Sequence, residues 1–403
     1  MTSPMVYLDH NATTKPSPEV VSAVVRGLEA CWCNPSSVHR GGQEAKYAIE
    51  IARGQMAGLL GIRSREVTFT GSGTESIDLA IRGTLGALHR SNPEMSKPEK
   101  NIIVTTPIEH SAIRNLCHQL ESTGRARVVM LPVLRSGVVD ISGLDSMLEA
   151  HRGQVALVSV QWVNNETGVI QPVHRVGEAC ERYNVVYHCD ATQWVGKMET
   201  DLSADGAPKI DLLSCSPHKF HGPKGVGVLW VRRGIKLLPT TPGSQELGRR
   251  GGTEAVPAIM GAGVAAEQAG AWVGDVENRA KIEQLRDRLE GGILEACAGS
   301  VVNTTTDPDL RVWGTTSIGF PRLEAEAILL SLAERKVCVS AGSACASGSL
   351  DPSPVLLAMG VDEQVAHGSI RLSLGRETTG EEIEHALGVI SAVTAQLWRS
   401  MPG

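Results

Sequence analysis

No stretch of the 403-residue sequence approaches 18 uninterrupted apolar residues, so a membrane span is not expected. Runs of like charge are also missing, and 38 Lys and Arg against 44 Asp and Glu leave a net charge of −6. That balance argues against direct nucleic-acid binding and against a membrane-surface role. The opening MTSPMVYLDHNATT has no basic leader and no apolar core segment, and it meets an acid at Asp9, so it does not read as a signal peptide. Nine cysteines lack any repeating spacing. Free thiols in a reducing compartment, and hence a cytoplasmic protein, are expected rather than a disulfide scaffold. Phenylalanine is scarce at 3 residues while glycine reaches 43, and the composition is otherwise that of a globular chain long enough to bury a large core.

What is present first is alternation. REVTFT, NIIVTT, RVVMLPV, VALVSVQWV, NVVYHCD, IDLLSC and VGVLWV read as strands, with helical periods such as ESIDLAIRGTLGALHR and VHRVGEACERYN between several of them. Such alternation predicts an α/β fold with a mainly parallel sheet flanked by helices, whose ligands collect at the carboxyl ends of the strands. After GRRGGTE the pattern turns mostly helical. TTSIGF, VCVSAG and GSIRLSLG then read as strands of a smaller α+β domain closed by the helix EEIEHALGVISAVTAQLW.

The strand ends carry the chemistry. VTFT runs into GSGTES, a glycine turn opening a helix, where Gly73 and Thr74 could hold a phosphate or simply cap a helix. The third glycine of a dinucleotide fingerprint is missing and no GxxxxGK[ST] occurs, so dinucleotide and nucleoside-triphosphate sites lose their usual support. Asp190 ends an apolar strand, where a carboxylate needs a partner, and Lys219 follows the next strand with Ser216 and His218 beside it. Singly these residues read as a helix cap and a solvated loop lysine. Together with VNNETG they form the set that pyridoxal phosphate requires: a lysine to bond its aldehyde, an acid for its ring nitrogen and donors for its phosphate. Cys215, His218 and His221, with His188 and Cys189 on the neighbouring strand, raise a zinc alternative. CxxC and HExxH are absent, and a strand would send His188 and Cys189 to opposite faces. Cys345 lies in SAGSACASGS, the composition of a mobile loop that could present a thiol, whereas Cys338 in VCV suits the core. Arg371 in GSIRLSLG wants a carboxylate, from the protein or from a ligand.

In order along the chain, YLDHNATT, NPSSVH, TGSGTES, EHSA, VNNETG, HCDATQ, SPHKFHGPKGVG, RRGGTE, GSACAS and SIRLSLG resemble a cysteine desulfurase of the nitrogen-fixation and iron–sulfur-assembly type, within the fold-type I pyridoxal-phosphate enzymes. The resemblance implies an N-terminal arm over 1–15, a large cofactor domain over 16–262 and a small domain over 263–403 carrying the cysteine loop. It implies Lys219 as the covalent cofactor lysine, Asp190 as partner of the ring nitrogen, His110 as the stacking and proton-moving residue, and Gln193 on the phenolic oxygen. Gly73, Thr74, Ser216 and His218 would hold the phosphate, with Thr253 reaching in from the second subunit of a homodimer. Asn165, beside the cofactor, and Arg371 would receive the carboxylate of L-cysteine. Cys345 would take sulfur as a persulfide for an acceptor such as an iron–sulfur scaffold protein. Selenocysteine lyase, or a transaminase-like enzyme of the same class, is the alternative. Pro217 and Leu247 stand where the family usually has Gly and Arg, and Lys224 is read as a loop lysine.

Overall fold

All seven runs read as strands between residues 67 and 231 join one sheet. The computed structural model describes residues 5–91, 100–342 and 351–400. Across the sheet the order is Val67–Thr70, Gly227–Val231, Leu212–Cys215, Val186–Asp190, Val155–Ser159, Ile102–Thr105 and Arg127–Met130. Gly227–Val231 runs antiparallel to both neighbours and the other pairings are parallel. Six strands therefore point the same way and deliver their carboxyl ends to one edge of the sheet. The inner strands are buried on both faces, as continuous apolar runs require when helices cover both sides. Arg127–Met130, at the outer edge, is half exposed.

The helices begin and end where local chemistry allows. Ser17 accepts from the Val20 N–H at 3.2 Å and Pro18 follows at the first helical position, opening Pro18–Glu29. Helix Arg40–Leu60 stops at Gly61, whose φ of 64° is the left-handed conformation of a C-terminal cap. Both helices pack against Val256–Val273. Farther along, Ser340–Ala341, Ser369–Ser373, Thr315–Gly319 and Val301–Val302 form a second, four-stranded sheet beside the helices Val276–Ala296 and Gly380–Ser400. Strand Val6–Tyr7 pairs with Val337–Cys338, tying the start of the chain to its last third. Among the described residues no helix is long and apolar enough to cross a membrane.

The glycine-rich loop after residue 240 is anchored by a buried ion pair. Glu246 accepts from both terminal nitrogens of Arg53, at 2.7 and 2.8 Å, and from the Phe69 N–H at 2.8 Å. Glu246 and Leu247 both hold positive φ, 47° and 60°, a conformation the loop imposes on two non-glycine residues. Leu247 is exposed, so its departure from the family pattern falls on the surface. Removing the carboxylate takes the bidentate partner from a buried guanidinium, which keeps Glu50 and the Val67 carbonyl, and strands the Phe69 N–H. Glu246→Ala is expected to lose about 3–5 kcal/mol of stability, read as a shift of the urea midpoint. A loss below about 1 kcal/mol would show that the pair does not anchor the loop.

Candidate active site

A cavity of about 1050 Å³ opens at the edge where the parallel strands end. It is lined by Gly73, Thr74, His110, Asn165, Asp190, Gln193, Ser216, His218, Lys219 and Arg371. Of the twelve residues predicted from sequence, ten thus meet in one place. Thr253 is exposed and does not line the cavity of its own chain. Cys345 lies outside the described residues, but Gly342 and Asp351, on either side of that segment, both line the cavity.

Strand Leu212–Cys215 ends at Ser216, and a short 3₁₀ turn over Pro217–Lys219 aims the lysine inward. Proline stands at the first position of that turn, where its fixed φ fits and its missing N–H leaves no helical bond unmade. The Phe220 and Gly222 N–H groups close the turn on the Pro217 carbonyl at 3.0 and 2.9 Å. Lys219 Nζ donates to the carbonyls of Asn11 and Ala12 at 2.6 and 2.8 Å, so the N-terminal arm holds the amine.

Asp190 is 5% exposed and among the described residues has no ion-pair partner. One oxygen, Oδ1, accepts from the Thr192 N–H at 3.1 Å, the Thr192 hydroxyl at 2.5 Å and the Ser214 hydroxyl at 3.4 Å. Behind it, His188 contacts Ser159 through Nδ1 at 2.9 Å and Ser214 through Nε2 at 3.1 Å. Burial lowers the His188 pKa to about 4 and keeps the ring neutral. Because Ser214 donates to the carboxylate, it accepts from His188 Nε2–H, which leaves Nδ1 to accept from Ser159. Among the described residues Oδ1 is thus met by donors, and the second oxygen remains for a ligand group.

The phosphate side is equally specific. Gly73 opens helix Gly73–Ser91, and a Cβ there would stand 3.2 Å from the Ser216 Cβ and 3.5 Å from its hydroxyl. The missing side chain leaves a cradle between the first N–H groups of a helix and the Ser216 hydroxyl, with Thr74 and His218 on the same cavity wall. Burial, with Lys219 adding to it, lowers the His218 pKa to about 4. His110 caps the helix Ser111–Ser122 by accepting the Ala112 N–H on Nδ1 at 3.2 Å, which leaves Nε2 as the ring's donor position. Arg371, 2% exposed, donates to Asp9 at 2.6 Å and to the Asn165 carbonyl at 3.0 Å, while its Nε has no partner among the described residues.

Among the cavity and near-cavity residues that the sequence does not announce, Glu109, Asn11 and Lys197 stand out by their contacts. Glu109 is 1% exposed, accepts on Oε1 from the Thr106 hydroxyl and the Gln161 N–H, and has no partner for Oε2 among the described residues. Burial raises its pKa to about 8, so it holds a proton at neutral pH. Asn11 and Lys197 complete the contacts of Gln193 and Lys219. Lys224 is exposed yet lines the cavity. His221 is engaged by the Lys15 carbonyl and Cys215 is buried, its thiol pKa pushed up by desolvation. Among the described residues no three His, Cys, Asp or Glu side chains converge to hold a metal ion.

The family model described as Aminotransferase class-V matches residues 6–386. The chain belongs to the class-V aminotransferase family. Enzymes of this family depend on pyridoxal 5′-phosphate, and the residues present fit it: a cradle at Gly73, an unpaired-by-cation Asp190 and a cavity lysine. Within the class-V aminotransferases, the chain is 43% identical over 394 residues to Cysteine desulfurase 2 of Trichormus variabilis, covering 98% of this chain and 94% of that protein. It is 41% identical to Cysteine desulfurase NifS of Azotobacter vinelandii, covering 98% and 94%. A solved structure described as a NifS-like protein superposes with a TM-score of 0.87 at 33% identity, covering 98% of this chain and all of that one. Another, described as SspA in complex with cysteine, gives 0.77 at 31% identity, covering 93% and 99%.

Proposed function

We propose that this protein is a pyridoxal-phosphate-dependent cysteine desulfurase, a sulfurtransferase that removes sulfur from L-cysteine to leave L-alanine and a persulfide on Cys345. The observation that carries this reading is the meeting of Lys219, Asp190 and His110 with Arg371 around one cavity, both flanks of the Cys345 segment lining the same space. Pyridoxal phosphate supplies a carbonyl for the substrate amine and an electron sink for the bonds broken at its carbons. Gly73, Thr74, Ser216 and His218 would hold its phosphate, and Asp190 its ring nitrogen. Gln193 would reach its phenolic oxygen, with His110 and Asn165 placed beside the ring. Asn165 and the Arg371 Nε, which has no partner among the described residues, would orient the substrate carboxylate. Lys219, lifted from the Asn11 and Ala12 carbonyls, would take the α-proton, and the Nε2–H of His110 would serve the second proton movement. The Cys345 thiolate would form an S–S bond to the substrate sulfur as the C–S bond breaks, the electron pair of that bond staying with the carbon that becomes alanine's methyl.

The persulfide would pass to a sulfur acceptor such as an iron–sulfur scaffold protein. The enzyme would work as a homodimer in the cytoplasm, Thr253 completing the phosphate site of the partner subunit. The division proposed above, an arm over 1–15, a cofactor domain over 16–262 and a small domain over 263–403, is supported by the two separate sheets and by the pairing of Val6–Tyr7 with Val337–Cys338. The direct test is product analysis. Purified protein loaded with pyridoxal phosphate is expected to convert L-cysteine and a thiol into alanine and sulfide in equal amounts. Turnover of selenocysteine alone, or amino transfer from alanine to a keto acid, would favour the selenocysteine lyase or transaminase alternative.

A further inference from the structure

Lys197 is a lysine buried without a charge to meet. Its side chain is almost fully enclosed, and among the described residues it makes no ion pair. Nζ donates instead to two amide oxygens, Oδ1 of Asn11 at 2.8 Å and Oε1 of Gln193 at 2.6 Å. Lysine in a core usually carries a large desolvation cost, which here pushes its pKa well below the ordinary range, with Lys219 and Arg371 adding repulsion. The other titratable groups around it are His10, His221 and Arg376, which share a small adjoining cavity with it.

The bonds define a direction. A lysine amine bonded this way acts as donor, so the oxygen ends of both amides must face Lys197 and their NH₂ ends must face away. One Gln193 N–H then goes to the Asn11 carbonyl at 3.0 Å, and the other is left for the cavity that Gln193 lines. The same Asn11 carbonyl accepts Lys219 Nζ at 2.6 Å. Asn11 is in turn held by its own NH₂ group, on the Asn165 carbonyl at 3.1 Å and the Thr315 hydroxyl at 2.9 Å. Without Lys197, Asn11 keeps the two bonds of its NH₂ group, whereas Gln193 loses the donor to its oxygen and is held by a single N–H, so it can turn its carbonyl toward the cavity.

We infer that Lys197 is a positioning residue, which locks Gln193 so that an N–H faces the ring oxygen of the cofactor and fixes the Asn11 carbonyl against Lys219. This rests on the cofactor reading above, and the test separates the two. Apo-protein is titrated with pyridoxal phosphate, and the absorption of the bound cofactor is followed against pH, for wild type, Lys197→Met, Gln193→Ala and the double variant. Lys197→Met is expected to weaken cofactor binding by about 5–30-fold and to raise the midpoint of the absorption titration by about 0.5–1 pH unit, the effect of losing one donor to an oxygen anion. Its melting temperature is expected to change little, because relief from burying an amine offsets the loss of a donor to two amide oxygens. In the Gln193→Ala background, Lys197→Met is expected to have a much smaller effect on both quantities, since only the contact with Asn11 is then left to lose. Wild-type binding and midpoint in Lys197→Met, or an undiminished effect when Gln193 is absent, would overturn the inference. Should Lys197→Met not fold, Lys197→Gln, whose amide can donate to one oxygen, is expected to weaken binding by a smaller factor, and unchanged binding would overturn it. Failure of wild-type protein to bind pyridoxal phosphate would defeat the cofactor reading itself.

Discussion

Replacing Lys219 with alanine is expected to lower kcat/KM for L-cysteine by at least about a thousandfold while the protein stays folded. Two losses combine. The covalent anchor of the cofactor disappears, and so does the amine that moves the α-proton, a role alone worth about 10²–10⁴ in rate. Stability changes little, since the amine contributes hydrogen bonds to two backbone carbonyls, of Asn11 and Ala12, which water can replace in an open cavity. Lys219→Arg is expected to be as inactive, because a guanidinium stays protonated and cannot act as nucleophile or base. Steady-state assays alongside thermal melting check both parts. Near-normal turnover in Lys219→Ala would remove the lysine from the mechanism.

Cys345→Ala is expected to cut alanine release from L-cysteine by at least about a hundredfold while binding of L-cysteine, seen as a change in cofactor absorption, persists. The substrate's C–S bond breaks only when a thiolate accepts the sulfur, and among the described residues that line the cavity none is a cysteine. Three residues of chain span at most about 11 Å, so a thiol three positions beyond Gly342 can reach the space that Gly342 lines. Full alanine release from the variant would point to the lyase or transaminase alternative, neither of which needs Cys345.

The sheet was legible because its strands are buried on both faces and read as unbroken β-branched runs between helical periods. Once those strands are parallel, the residues after them share one edge, so Asp190, Ser216, His218 and Lys219 could be placed together from sequence order alone. Helix Arg40–Leu60 was not legible. It holds Gly41, Gly42, Gly54 and Gly58, which disfavour a helix locally, and its formation rests on packing against Val256–Val273. Lys197 and Asn11 were hidden for another reason. They meet across 186 positions of sequence, and a lone lysine or asparagine carries no pattern that announces such a partner. Glu109 was passed over beside His110 because its significance lies in burial, which a single acidic residue does not reveal. Lys224 was read as a plain loop lysine because exposure and cavity lining coexist at a rim.

A covalent bond between Lys219 and the cofactor is central to this chemistry, and reduction of the protein loaded with pyridoxal phosphate by borohydride tests it most directly. Digestion and mass spectrometry are expected to find the reduced cofactor on the peptide SCSPHKFHGPKG, at Lys219 and not at Lys224, and to find no label in Lys219→Ala. A label at Lys224, Lys197 or any other lysine, or none in the wild-type protein, would contradict it.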